Sequence, residues 1–238
     1  MRPGAVALAV SSLIVLGTGP AAPSLPLPLP LPLPARMAHT GGGTQLITAV
    51  APKRASTTGT VTWWNREDGR WVKRGSAPAR FGANGLVAGA TREQGTNTTP
   101  TGLYGLPYAF GIKAAPRGTA YTYRRVHQDS WWCQDNDSRS YNRWSEPRAA
   151  DCRAAESEHL ITYSPQYAHA LVIGFNYQRP VRGRGAGIFL HVHGRGATAG
   201  CVSVSEKAMR RILVWADPTR RPHIAVGTQN GSTAVTRL

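Results

Sequence analysis

Acidic residues are scarce in this chain. Among 238 residues, 12 Asp and Glu stand against 28 Lys and Arg, a formal net charge of +16. The cations are scattered rather than striped along a helix. No recognition helix, zinc-finger spacing or RNA-binding aromatic motif accompanies them, so nucleic acid is set aside as a partner. An anionic cell-surface polymer suits the charge better, either through retention near a negative wall or through specific steering. Long apolar runs are also missing. The run Ala5 to Gly17 is too short and too early for a comfortable membrane span. No internal repeat is present, and one convincing helix among many short strand patterns excludes a Rossmann or barrel enzyme.

Cysteine is nearly absent too, with only Cys133, Cys152 and Cys201. None lies near the N-terminal segment, so a lipoprotein anchor is not expected. That segment carries a basic start, a short apolar core and small residues at Ala21 and Ala22, the pattern of a secretory signal peptide over 1–22. Uncleaved, it would serve as an anchor; cleaved, it leaves no stable membrane span. The alternation Leu25-Pro-Leu-Pro, continuing to Pro34, lacks every second backbone donor and reads as an extended tether over 23–43. Residues 44–238 are long enough for one well-filled core, expected as a monomer. In an exported chain an odd cysteine count leaves one thiol over. Cys133 and Cys152, close in sequence and in polar surroundings, are the expected disulfide, and Cys201 the free thiol. The alternative is that the pair are packed thiols.

Several strands are legible. Val61–Trp64 and Gly69–Lys73 flank an Asp68-Gly69 turn, and Tyr121–Val126 alternates. Trp63, Trp64 and Trp71 are either packing or sugar-stacking groups. Ala170–Phe175 is continuously apolar, as in a buried strand. Gly187–Val192 follows as another strand, with Phe189 and His191 on one face and Leu190 on the other. The span 128–151 reads as a long polar and aromatic loop forming a groove wall. Val204–Asp217 is the expected helix, capped by Ser203 or Ser205, with a Ser-x-x-Glu box between Ser203 and Glu206. Met209, Ile212, Leu213 and either Trp215 or Ala216 form its apolar stripe.

The chemistry concentrates between His191 and Cys201. A cysteine nucleophile needs a base within reach and a backbone open to substrate. His191 sits on a strand, a loop rich in small residues follows, and Cys201 stands just before the expected helix, whose positive end would lower its pKa. His193 is a rival base or an orienting partner. The N–H groups of Gly200 and Cys201 are candidate oxyanion donors. A buried cysteine beside a satisfied histidine is the plain alternative.

These residues carry a resemblance. Phe189-Leu190-His191 followed by Thr198-Ala199-Gly200-Cys201 resembles one branch of the L,D-transpeptidase catalytic domain family, the YkuD-type fold. Thr99-Pro100-Thr101-Gly102-Leu103-Tyr104, Tyr141-Asn142, Ser157-Glu158-His159 and Gly187-Ile188-Phe189 are similar to it as well, over roughly 84–227. Many members place His-Gly before the cysteine and Arg after it; here Ala199-Gly200 precedes and Val202-Ser203 follows. The resemblance implies a mainly β, single β-sandwich domain of short mixed strands with one principal helix after the cysteine. It implies His191 as the base and acyl transfer on peptidoglycan stem peptides, giving 3–3 cross-links, or L,D-carboxypeptidase activity when water attacks. No metal or organic cofactor is required, and no His-Glu-x-x-His zinc motif is present. Substrate contacts are expected from the loop before the catalytic strand. Arg139 is the candidate for a donor carboxylate and Asn142 for peptide amides, with Tyr141 and Trp144 covering the aliphatic stem and Glu158 and His159 just beyond. Competing readings are a cysteine hydrolase of other specificity and a non-catalytic wall-binding protein.

Overall fold

The computed structural model describes Met1 and residues 31–228. The expected signal segment beyond Met1, the start of the expected tether and residues 229–238 lie outside the described residues. All architecture below belongs to the unit that begins at Leu31. Within the expected tether, Leu33–Arg36 form a 3₁₀ turn, and Leu33 and Met37 pack with Leu46 and Ala225.

A long hairpin forms one half of the sheet. β1 (Gln45–Ala51) pairs antiparallel with β2 (Thr58–Glu67), which pairs antiparallel with β3 (Arg70–Arg80). Asp68 and Gly69 both adopt positive φ, as the two-residue turn between twisted strands requires. Trp63 is buried, and Trp64 donates its Nε1–H to Thr48 Oγ1 at 3.0 Å. Trp71 packs in the same small cluster as Trp64, so all three tryptophans serve packing. β4 (Leu86–Ala88) and β5 (Thr99–Gly105) complete that edge through the last strand, His223–Thr228.

The other half contains β6 (Ala109–Gly111), β7 (Tyr123–Arg125) and β11 (Ala170–Val172), with β12 (Phe189–Val192) and β13 (Val202–Val204) joining it to β3. The final strand is β14. The order across this mixed eleven-stranded sheet is β4-β5-β14-β1-β2-β3-β13-β12-β11-β6-β7. The span 128–151, expected as a loop, contributes β8 (Trp131–Cys133) and β9 (Arg143–Ser145). With β10 (Ser157–His159) they form a small separate sheet in the order β10-β8-β9. Its strands are only three residues long, too short for alternation to declare them.

Period 2 sorts the core. Leu171, Leu190 and Val192 face the main cluster, while Ala170, Val172 and Phe189 face a second, aromatic cluster with Phe110, Trp132 and Tyr167. The one α-helix among the described residues, α1 (Glu206–Trp215), lays Ala208, Met209, Ile212 and Leu213 onto the main cluster. Each large apolar side chain buried there contributes about 2 kcal/mol. The helix starts two residues later than expected because Val202–Val204 is taken into the sheet. Ser203 is therefore a strand residue, and Ser205 is the N-cap, accepting from Ala208 N–H at 3.3 Å.

Cys133 and Cys152 form a disulfide across 19 residues. Replacing both by serine is expected to lower stability by about 2–4 kcal/mol through release of that closed loop. Equal urea midpoints for the double variant and the parent protein would refute the expectation.

Candidate active site

Parallel pairing of β12 with β13 creates the site. Leu190 stands opposite Val202, and His191 opposite Ser203. Cys201, one residue before β13, thus lies beside Phe189, whose N–H points at Sγ at 3.4 Å; the thiol in turn reaches Gly187 O at 3.4 Å. His191 is on the Phe189 face, edge-on to the Tyr167 ring. Its Nδ1 lies 2.7 Å from Val192 O. A carbonyl only accepts, so Nδ1 carries the proton and Nε2 presents its lone pair. His191 and Cys201 both line one cavity of about 230 Å³, together with Glu158, Tyr163, Gln166, Tyr167 and the loop from Gly194 to Ala199.

The loop is held at both ends. Arg80 Nη1 donates to Gly194 O at 2.8 Å and to Gly196 O at 3.2 Å. Thr198 bridges to Gly82, and its Oγ1 donates to Cys201 O at 2.7 Å. Thr99 Oγ1, from the Thr-Pro-Thr-Gly stretch, also contacts Cys201 O, at 3.4 Å, while accepting Gly82 N–H at 2.7 Å. Arg195, Gly196 and Ala197 stay exposed at the mouth.

Electrostatics correct one expectation. Three strand residues and Ser205 separate Cys201 from the helix, and burial pushes its thiol up to about 12, reinforced by the Glu158 carboxyl and opposed by Phe189 N–H and Arg92. Burial also lowers His191 to about 4, against the Val192 hydrogen bond. At neutral pH the pair is a neutral thiol and a neutral imidazole. Glu158 is raised by burial, although Gln134 Nε2 (2.6 Å) and the Tyr167 hydroxyl donate to it.

The remaining sequence candidates fall elsewhere. His193 follows the end of β12, bonds Ser203 Oγ through Nδ1 at 3.0 Å, and does not line the cavity. Gly200 N–H donates to Thr198 Oγ1 at 3.1 Å. Arg139 is exposed, with its N–H on Asp151 Oδ2 at 2.8 Å. The Tyr141 hydroxyl donates to Gln94 Oε1 and accepts from Gly185 N–H. Asn142, fully enclosed at φ 57°, accepts from Trp132 Nε1 and Gly187 N–H, both at 3.0 Å, and donates to the carbonyls of Phe175 and Asn176. Trp144 packs edge-on to Phe110 and donates to Glu146, while His159 stacks on Trp131 and bonds Gln128 O. Of this group, only Glu158 reaches the thiol's cavity. Tyr163, Gln166 and Tyr167 carry no sign of this role in the sequence beyond their position just after Ser157-Glu158-His159.

The YkuD family, described as the L,D-transpeptidase catalytic domain, matches residues 55–229. The chain belongs to that family. Its members are L,D-transpeptidase-type cysteine acyltransferases that act on peptidoglycan, and the mainly β fold with one α-helix among the described residues agrees. No curated protein matches the sequence. Among solved structures, Bd1075 of Bdellovibrio bacteriovorus aligns over 77% of this chain and 47% of its own, at 16% identity and a TM-score of 0.37. The chain therefore spans about half of that protein.

Two outcomes follow from the site. Alkylation of Cys201 by iodoacetamide should be slow at pH 7 and climb steadily above pH 9, because the buried thiol stays protonated; a rate plateau near neutrality would contradict this. The linkage has the same sign: a raised thiol pKa means the folded state holds its proton longer, so this contribution to stability falls as pH rises above the unfolded value of about 8.5. Asn142→Ala should cost about 1–3 kcal/mol, since it strands the Trp132 and Gly187 donors, whereas Arg139→Ala should leave the thermal midpoint nearly unchanged.

Proposed function

We propose that the protein is an exported L,D-transpeptidase in which Cys201 is the nucleophile and His191 the base. One observation carries the reading: the single cysteine outside the disulfide and a histidine with its Nε2 lone pair available line the same cavity. Cys201 Sγ attacks the carbonyl of the third residue of a stem peptide as His191 Nε2 takes the thiol proton. Collapse of the tetrahedral adduct breaks the peptide bond, and His191 returns that proton to the departing D-amino acid. The thioester is then attacked by an amine of a second stem, whose proton passes to His191, giving a 3–3 cross-link and regenerating the thiol. The Cys201 N–H is assigned to the oxyanion, with Gly200 N–H joining when it exchanges Thr198 Oγ1 for substrate oxygen.

A neutral starting pair suits this chemistry. Charge separates only as the sulfur–carbon bond forms, inside a site where fixed dipoles replace water. Hydrolysis arises from the same thioester when water reaches the cavity first, so L,D-carboxypeptidase activity is the second reading. Export is supported by the N-terminal pattern and by a disulfide suited to an oxidising compartment. The +16 charge supports residence beside anionic wall polymers.

Defined tetrapeptide donors with and without an acceptor amine, analysed by mass spectrometry, should yield a Cys201-linked acyl-enzyme and a cross-linked product. Cys201→Ala should abolish both, and His191→Ala should lower kcat/KM by about 10²–10⁴. Undiminished acylation in Cys201→Ala would overturn the assignment.

A further inference from the structure

Arg92 is a buried cation that the acyl-transfer scheme leaves unused. It is 5% exposed, yet no carboxylate pairs with it among the described residues. Its Nε donates to Thr98 O at 2.8 Å and Nη1 to Arg184 O at 3.1 Å, while the guanidinium lies over the Phe175 ring. Nη2 has no hydrogen bond within the described structure. Backbone carbonyls fix the fork without neutralising it. Desolvating a charge with no counterion is unfavourable, and such a group points to a ligand that supplies the missing charge.

The surroundings keep this cation bare. Arg92 and Cys201 line a cavity of about 110 Å³, with Glu158 and Gln134 also in its wall. Glu158 and Arg92 make no ion pair with each other. Glycines stand where side chains would cover the fork: a Cβ on Gly185 would lie 1.7 Å from Nη1, and one on Gly200 2.9 Å from Nη2. Both have positive φ, at 112° and 139°, which further disfavours replacement. At roughly 30 Å³ per water, the cavity has room for a few heavy atoms. Arg92 and Gln94 also line a wider outer groove with Arg182 and Arg184.

Two cavities therefore meet at the thiol, one with His191 and one with Arg92; Cys201, Glu158 and Ala199 belong to both. The chemistry assigns their contents. His191 gives its proton to the departing amine and takes one from the incoming amine, so both amines occupy the His191 cavity. The residue that becomes the acyl group then occupies the other. We infer that Arg92 is a specificity-determining residue that binds a carboxylate on the side chain of that acyl residue, with Glu158 placed for an accompanying ammonium. The matching side chain ends in an α-amino-acid head, as in a diamino-diacid, and not in a simple amine. This inference rests on the acyl-transfer reading for its orientation. The planar fork, held by two carbonyls, fits a bidentate carboxylate.

The test varies the donor. Tetrapeptides with meso-diaminopimelate, its side-chain amide, or lysine as third residue are compared, each with D-alanine or D-alaninamide as fourth. Wild-type kcat/KM should favour the free side-chain acid by more than about tenfold over the amide and lysine donors. Arg92→Lys and Arg92→Gln should bring the three donors within about twofold of one another. Arg92→Lys retains the charge and guards against a folding failure of Arg92→Gln. Equal use of the three donors by the wild type would overturn the inference. So would a uniform loss across donors in both variants, which would place Arg92 on the thiol alone, or a preference tracking only the fourth residue's carboxylate, which would place it on the leaving side.

Absence of Cys201-dependent acylation with every donor would sink the acyl-transfer reading instead. Calorimetric titration of free meso-diaminopimelate and lysine into the Cys201→Ala protein then decides the pocket. Binding of the diacid alone, lost in Cys201→Ala/Arg92→Lys, supports it; no binding of the diacid, or equal binding of lysine, overturns it.

Discussion

The parallel register between β12 and β13 is the constraint on which the site depends. Side chains alternate along a strand, so a one-residue slip would turn His191 into the main apolar core and bring Leu190 out toward Tyr167. Parallel neighbours usually need a long crossover. Here the connection is only the short stretch from His193 to Cys201, and it is held by foreign groups: the Arg80 guanidinium, the Phe81 and Gly82 backbone and the Thr99 hydroxyl. The β2–β3 hairpin thus does more than fill the sheet. Its far end, at Arg80, pairs with Ser203 and fixes the return of the chain to Cys201.

Scarce acids are placed where they act on structure. Asp135 is enclosed and takes two guanidinium bonds and a backbone N–H from Arg153, which hold its carboxyl far below the usual range. Glu206 takes the Lys113 ammonium at the first turn of α1, where negative charge also suits the helix end. Glu158 is different: it stays beside the thiol, raised by burial and held by neutral donors. The site interior thus holds the half-buried Glu158 carboxyl and the buried Arg92 guanidinium.

Much of this was legible in the sequence, for identifiable reasons. The strand alternation around Leu190, the Asp68-Gly69 turn, the apolar stripe of α1 and the cysteine pairing are local signals, and each matches the structure. Other features depend on distant partners. Val202-Ser203-Val204 reads as the approach to a helix because its neighbour on one side, Arg80, lies far off in the chain and the parallel return to Leu190 is unusually short. The depressed thiol pKa failed for the same reason: a helix end can be read from nearby residues, but burial beneath Phe189 and Tyr167 cannot. In sequence Asn142 suggests a polar hand for substrate, yet its positive φ and four internal bonds make it the fastening between the small sheet and the approach to β12. Arg92 gave no signal at all, since an arginine in a Gly- and Thr-rich stretch is ordinarily a surface residue.

The exposed span Arg195–Ala197 has a consequence for how such a protein diversifies. Its flanks, Gly194 and Thr198, and its own Gly196 are anchored through main-chain atoms, and the side chains of Arg195 and Ala197 lie outside the core. Replacements of Arg195 or Ala197 alter the rim of the cavity while leaving the register of β12 and β13 untouched, whereas Gly196 is held to glycine by its φ of 71°. Changes at those two positions can therefore reshape what enters the mouth without first breaking the nucleophile, a separation of adjustable rim from chemistry within a few residues of chain.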